Sequence, residues 1–144
     1  FTQTTPYALL RSLVGSEMCI RDSLSRDNIK VNVTLIFDAA QAILAAKAGA
    51  TYVSPFVGRL DDNSVNGLDV IKDIHDIYQT HWVKTQILSA SIRGVKAVST
   101  SFALGAHVVT MPPSVFEKMY NHVLTDKGLQ LFDADWASVV SNTK

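Results

Sequence analysis

Two β-rich runs, VNVTLIF at 31–37 and ATYVSPF at 50–56, bracket an Ala- and Leu-rich helical stretch, and this unit constrains the fold more than any other feature. Asp38 and Gln41 have the D-x-x-Q spacing of a capping box, and Gly49 stands where a helix would need a left-handed C-terminal residue. A helix between two such strands makes the strands parallel. The alternation continues after the polar loop expected at 59–66. Leu68, Ile71, Ile74, Ile77 and Tyr78 fall on one face of a helix over about 68–79. A strand follows at 84–89 (KTQILS), then a helix over 95–104 that closes at Gly105, then a strand at 107–111 ended by Pro112 and Pro113. Ser114 with Glu117 reads as a second capping box, opening a helix through about residue 121. Thr125 can cap a last helix, in which Leu129, Phe132 and Trp136 recur at three- and four-residue spacing. The expected fold class is α/β, with four βα units and one terminal helix.

Polar residues interrupt the first two strands. Asn32 and Thr34 are two apart and share one face, as do Ser54 and Phe56, with Arg59 in the exit loop. A parallel sheet buried on both faces tolerates such groups only when something satisfies them, and a ligand is one candidate. Ser91 and Arg93 follow the third strand. Two arginines and a serine hydroxyl could hold a phosphate through charge-assisted, partly bidentate hydrogen bonds. The bland alternatives are an Arg59 pair with Asp61 or Asp62, a solvated Arg93, a Thr34 that is only a β-branched strand residue, and a core Phe56.

Composition excludes several classes. Hydrophobic residues make up 47% of the 144, which favours a packed core over disorder. The 13 basic and 13 acidic residues are spread along the chain, so no basic stripe points to nucleic acid or an anionic membrane surface. No apolar run is long enough for a spanning helix, and the N-terminus lacks the order of a signal peptide. A cytoplasmic enzyme is the expectation. Cys19 is the single cysteine, so no intramolecular disulfide or cysteine metal cluster can form. His75, His81, His107 and His122 show no ligand spacing, and no metal is expected.

The chain resembles the transaldolase family, in particular its short, bacterial-type branch, which includes the fructose-6-phosphate aldolases. The motifs are N-x-T at Asn32 to Thr34, S-P-F-V-G-R-x-D-D from Ser54 to Asp62, S-A-S-x-R from Ser89 to Arg93, and T-x-P-P from Thr110, all in the family's order. The likeness runs from about Asn28 to Trp136. It implies a class I, Schiff-base enzyme of the pentose phosphate pathway that needs no cofactor. Such an enzyme moves a dihydroxyacetone unit between sugar phosphates, and a homo-oligomer is the expectation at full length. By the same resemblance, Arg59, Ser91 and Arg93 bind the substrate phosphate. Asn32 and Ser54 bind hydroxyls of the ketose, and Thr34 holds the catalytic water. The transaldolase branch has phenylalanine at the position of Phe56, where the aldolase branch has tyrosine, so Phe56 favours transfer; arginine in place of lysine at Arg93 agrees. Asp38 stands where the family usually has a small residue, and Gly94 where a bulkier one is usual.

The resemblance also implies a (β/α)₈ barrel, a fold of about 250 residues, and of about 200 at minimum. Residues 26–144 have room for roughly its C-terminal half; an open four-stranded layer complete in itself is the alternative. The family's Schiff-base lysine would fall near Leu10, where there is no lysine, and the first lysine in the chain is Lys30. Lys30, Lys47 and Lys84 do not match the catalytic position. Residues 10–23 resemble translated library-adaptor sequence, so 1–25 are expected to be non-native or disordered, with a genuine N-terminal extension as the alternative, and the chain alone is expected to be inactive. A non-catalytic, phosphate-binding half barrel is the rival reading from another class.

Overall fold

The computed structural model describes residues 29–142, so the segment 1–25 and the position near Leu10 lie outside the described residues. The chain divides into two compact units, one ending at Met111 and one beginning at Pro112. The first contains β1 (Asn32–Ile36), α1 (Ala39–Lys47), β2 (Tyr52–Pro55), α2 (Val57–Asp61), α3 (Gly67–Thr80), β3 (Gln86–Ser89), α4 (Val95–Ala103) and β4 (Val108–Val109). Its strands make one parallel sheet in the order β1-β2-β3-β4. Each helical connection therefore delivers the chain to the adjacent strand, with no reversal of the kind that defines a doubly wound sheet. Helix α3 packs against both α1 and α4, so the three long helices form one layer.

The helix ends follow from local chemistry. Asp38 caps α1 by accepting from Gln41 N–H at 2.8 Å, and the Gln41 side chain accepts from Phe37 N–H at 2.8 Å. The return bond thus reaches one residue further back than in the standard capping box. Gly49 (φ +79°) and Gly105 (φ +99°) end α1 and α4 in the left-handed region that glycine enters without penalty.

The core lies between sheet and helices. Val33, Val53 and Ile87 occupy one register row and are all buried, as are Ala42 and Ala45 of α1, Ile71 and Ile74 of α3, and Val98 of α4. Each large aliphatic buried in this way contributes about 1.5–3 kcal/mol. The small alanines of α1 let α3 come close enough for Tyr78 O–H to donate to the Ala42 carbonyl at 2.7 Å. Burial pushes the Tyr78 hydroxyl up to about 12.

Several boundaries differ from expectation. The strands are shorter because ladder pairing spans only two or three register rows between neighbours. The expected polar loop at 59–66 begins as helix: Arg59 and Leu60 N–H both bond to the Phe56 carbonyl, so the chain turns into α2 directly from β2 and Arg59 is helical. In β1 the alternation breaks after Thr34. Leu35 takes φ +58°, the register shifts between Val33 and Ile36, and Thr34 and Leu35 are both exposed. This is a bulge, which period two cannot anticipate.

The second unit consists of α5 (Pro113–Lys118) and α6 (Val123–Asn142). Pro113 takes the first helical position, where its fixed φ is already suitable, so Pro112 is the cap and Ser114 lies inside the helix. The capping box expected of Ser114 and Glu117 does not form. Helix α6 opens at Val123, two residues before Thr125, which therefore does not cap it. Leu129, Phe132 and Trp136 do lie on this helix, and all three are exposed.

Candidate functional site

The direction of the strand side chains divides the sheet into two faces. Ser89 Oγ lies 3.0 Å from Ser101 Oγ of α4, so Ser89 and its period-two neighbour Ile87 face the helices. Val53 and Val33 share that face by register. Asn32, Tyr52 and Gln86 form the adjacent register row and point the other way, and Thr34 and Ser54 continue that face along β1 and β2. On it, Ser54 O–H donates to Asn32 Oδ1 at 2.8 Å. Ser54 is buried and Asn32 exposed, so the amide both satisfies an otherwise costly buried hydroxyl and presents itself to solvent. Thr34, two residues on from Asn32, is exposed at the C-terminal end of β1, where the bulge begins. Its neighbour Leu35 sits in a region that costs a non-glycine residue about 1–2 kcal/mol.

A second cluster occupies the C-terminal ends of β2 and β3. Phe56 pairs with Ala90 in a parallel bridge, and Val57 N–H bonds to the Ala90 carbonyl at 3.0 Å, which pins the start of α2 to the end of β3. Ser91 then takes φ +63°. Its carbonyl lies so close to Gly58 that a Cβ built there would sit 2.1 Å from that oxygen, 3.0 Å from Ser91 Oγ and 3.1 Å from Arg93 Nε. Gly58 thus joins the first turn of α2 to the Ser91–Arg93 loop. The Arg59 guanidinium stacks over the Phe56 ring at 5.4 Å, and Phe37 meets the same ring edge-on at 6.1 Å.

Arg93 grips Asp62 through both terminal nitrogens: Nη1 pairs with Oδ1, and Nη2 with Oδ2 at 2.5 Å. Hydrogen bonding to Arg93 holds the Asp62 carboxyl below its usual range; desolvation opposes this, and the charges of Arg93 and Arg59 add to the lowering. The same bond raises Arg93. Asp62 therefore pairs with Arg93, where the bland reading had offered it to Arg59, and Arg93 is not simply solvated.

Of the residues singled out in the sequence, Asn32 and Ser54 meet directly, Phe56 and Arg59 stack, and Ser91 and Arg93 gather around Gly58. Gly58 and Asp62 were not among the candidates. The only signal for them was their place in the S-P-F-V-G-R-x-D-D run, because a close backbone approach and a pair 31 residues apart leave no periodic trace. Lys30, Lys47 and Lys84 are exposed; Lys47 ends α1 and Lys84 precedes β3, at the opposite end of the sheet from this cluster. Among the described residues, no group of three or more His, Cys, Asp or Glu is placed to hold a metal ion, and no helix is long and apolar enough to cross a membrane.

Fold and site together define an α/β protein with polar and basic groups at the carboxyl ends of consecutive parallel strands. Residues 17–143 match the family described as transaldolase/fructose-6-phosphate aldolase, and the chain belongs to that family. It is 58% identical over 114 residues to a probable transaldolase of Paracoccus denitrificans, covering 79% of this chain and 52% of that protein. A probable transaldolase of Sinorhizobium medicae is 47% identical over 137 residues, covering 88% of this chain and 63% of its own length. The chain thus spans about half the length of the first of these relatives, and under two thirds of the second. Among solved structures, a mandelate oxidase superposes with a TM-score of 0.53 at 20% identity, over 71% of this chain and 32% of that one. A flavocytochrome b2 gives 0.52 at 17% identity, over 64% and 25%. At such identities the likeness is one of fold alone.

Proposed function

We propose that residues 26–144 form the C-terminal half of a (β/α)₈ barrel enzyme of the transaldolase type, which moves a dihydroxyacetone unit between sugar phosphates in the cytoplasmic pentose phosphate pathway. The observation that carries this reading is the Asn32–Ser54 hydrogen bond beside exposed Thr34, one strand end away from the Gly58, Ser91 and Arg93 cluster. Uncharged hydrogen-bonding groups next to a cationic rim suit a ligand with hydroxyls at one end and phosphate at the other. In this reading Asn32 and Ser54 hold ketose hydroxyls, Thr34 positions the catalytic water, and Arg59, Ser91 and Arg93 take the phosphate. Arg93 meets the substrate already oriented by Asp62, so little side-chain freedom remains to be lost on binding.

The chemistry requires an amine. A lysine attacks the ketose carbonyl, water leaves, and the resulting Schiff base accepts the electron pair released when the adjacent C–C bond breaks. Lys30, Lys47 and Lys84 are exposed, and none lies at the C-terminal strand ends: Lys30 precedes β1, Lys84 precedes β3 and Lys47 ends α1. The nucleophile in this account belongs to the other half of the barrel, and the present chain alone is inactive. Transfer is favoured over release of the free three-carbon unit because Phe56 has no hydroxyl with which to direct water for proton transfer.

The test is activity in a reconstituted barrel. Co-expression with the N-terminal half of the Paracoccus relative should give transfer from fructose 6-phosphate to an aldose phosphate, and Arg93→Ala should raise KM for phosphorylated acceptors more than for unphosphorylated ones. A soluble, associated pair of halves with no transferase activity would count against the assignment.

A further inference from the structure

A cavity of ≈ 730 Å³ opens at the other end of the first unit, between the C-terminus of α1, the C-terminus of α3 and the entries to β2 and β3. This volume falls in the range of small-molecule sites, about 300–1,000 Å³. Ile43 and Ile77 supply apolar wall, and Lys47, His81, Trp82 and Lys84 also line it. Trp82 is unusual on two counts. It is 90% exposed, and its backbone is held at φ +52° by Trp82 N–H to the Gln79 carbonyl and Val83 N–H to the Tyr78 carbonyl. A left-handed conformation is costly for a bulky residue, so this turn sustains strain while presenting an indole ring to solvent.

The polar lining is one-sided in charge. Two lysines face the cavity, and among the described residues no carboxylate lines it. Three hydroxyl residues line it, Thr51, Tyr78 and Thr85, and two of them are committed to the backbone: Tyr78 O–H donates to the Ala42 carbonyl and Thr85 O–H to the Ala50 carbonyl, each at 2.7 Å. Lys47, Lys84, His81 and the Thr51 hydroxyl therefore remain as groups for a ligand, and the charged ones among them are all basic. An anionic head would meet complementary charge, and a flat apolar body would cover the indole and the isoleucine wall.

We propose that this cavity binds a small aromatic organic anion, its ring against Trp82 and its charged group between Lys47 and Lys84. The site stands apart from Arg93 and does not depend on the sugar-phosphate reading. The test uses the full chain carrying Trp136→Phe, so that Trp82 is the sole tryptophan, with phenyl phosphate as the probe. Phenyl phosphate should quench Trp82 emission saturably at millimolar concentration. Loss of two exposed charge partners in Lys47→Ala/Lys84→Ala should weaken this by about tenfold. Arg93→Ala, at the other end of the sheet, should leave the titration unchanged. An equal response to neutral phenol, no effect of the double lysine variant, no saturable quench, or Trp82 emission that follows protein concentration instead of probe (a second copy covering the cavity) would each overturn the proposal.

Discussion

Arg93 closes on Asp62 with both terminal nitrogens, joining the loop after β3 to the end of α2 across 31 residues of chain. Asp62 is held below its ordinary range of 3.8 by that pairing, so the contact stabilises the fold at and above the unfolded carboxylate's pKa and fades as pH falls through the lower, folded value. Asp62→Asn should therefore narrow its stability deficit relative to the parent as pH drops below about 4. Thermal melts of both proteins between neutral and acidic pH would read this; a deficit that widens with acid would contradict the pairing.

Gly58 and Gly94 should respond oppositely to the same change. An alanine methyl at Gly58 lands 2.1 Å from the Ser91 carbonyl oxygen, whereas at Gly94 nothing lies within 4 Å. Gly58→Ala should cost about 1–3 kcal/mol, and Gly94→Ala should be neutral or slightly stabilising. Two melting curves suffice, the first shifted down by several degrees and the second not.

Tyr78→Phe removes a buried hydrogen bond to Ala42, for a loss of about 1 kcal/mol. Because the folded hydroxyl titrates at about 12 and an unfolded one at about 10, the parent should also lose stability as pH rises from about 10 to 12. The phenylalanine variant lacks that slope. Equilibrium denaturation across alkaline pH is the check, with identical slopes as the contrary result.

Much of the fold was legible in the sequence. Glycine at 49 and 105, the Asp38 cap and the apolar face of α3 are local signals, and the structure uses each where it was read. The bulge at Thr34 and Leu35 was not legible, because strict alternation is assumed when strand faces are assigned. The five-residue helix Val57–Asp61 was missed because its start is set by the hydrogen bond that anchors Val57 to Ala90, not by its own propensity. The candidate site divides along the same line. Asn32 could be placed with Thr34 on one face of β1 from period two, while the Asn32–Ser54 bond, the Gly58–Ser91 approach and the Arg93–Asp62 pair arise only when the strands lie side by side.

Phe56→Tyr in a reconstituted barrel should raise release of the free three-carbon product relative to transfer, by adding a phenolic hydroxyl at the C-terminal end of β2. The ratio of the two activities is the measure, and an unchanged ratio would remove Phe56 as the determinant of reaction type.

Ser54→Ala takes away the partner of Asn32 and should lower kcat/KM for the ketose donor by about tenfold, the value of one hydrogen bond between partly buried groups. KM for the phosphorylated acceptor should move less. A loss confined to the acceptor would place Ser54 elsewhere in the reaction.

The central claim is that this chain supplies the sugar-phosphate site while the amine nucleophile comes from the complementary half. Borohydride reduction in the presence of fructose 6-phosphate, followed by peptide mapping, tests it directly on the chain alone and on the reconstituted barrel. The account predicts no adduct on the isolated chain and, in the barrel, a single adduct on a lysine of the added half. An adduct on Lys30, Lys47 or Lys84 would contradict it.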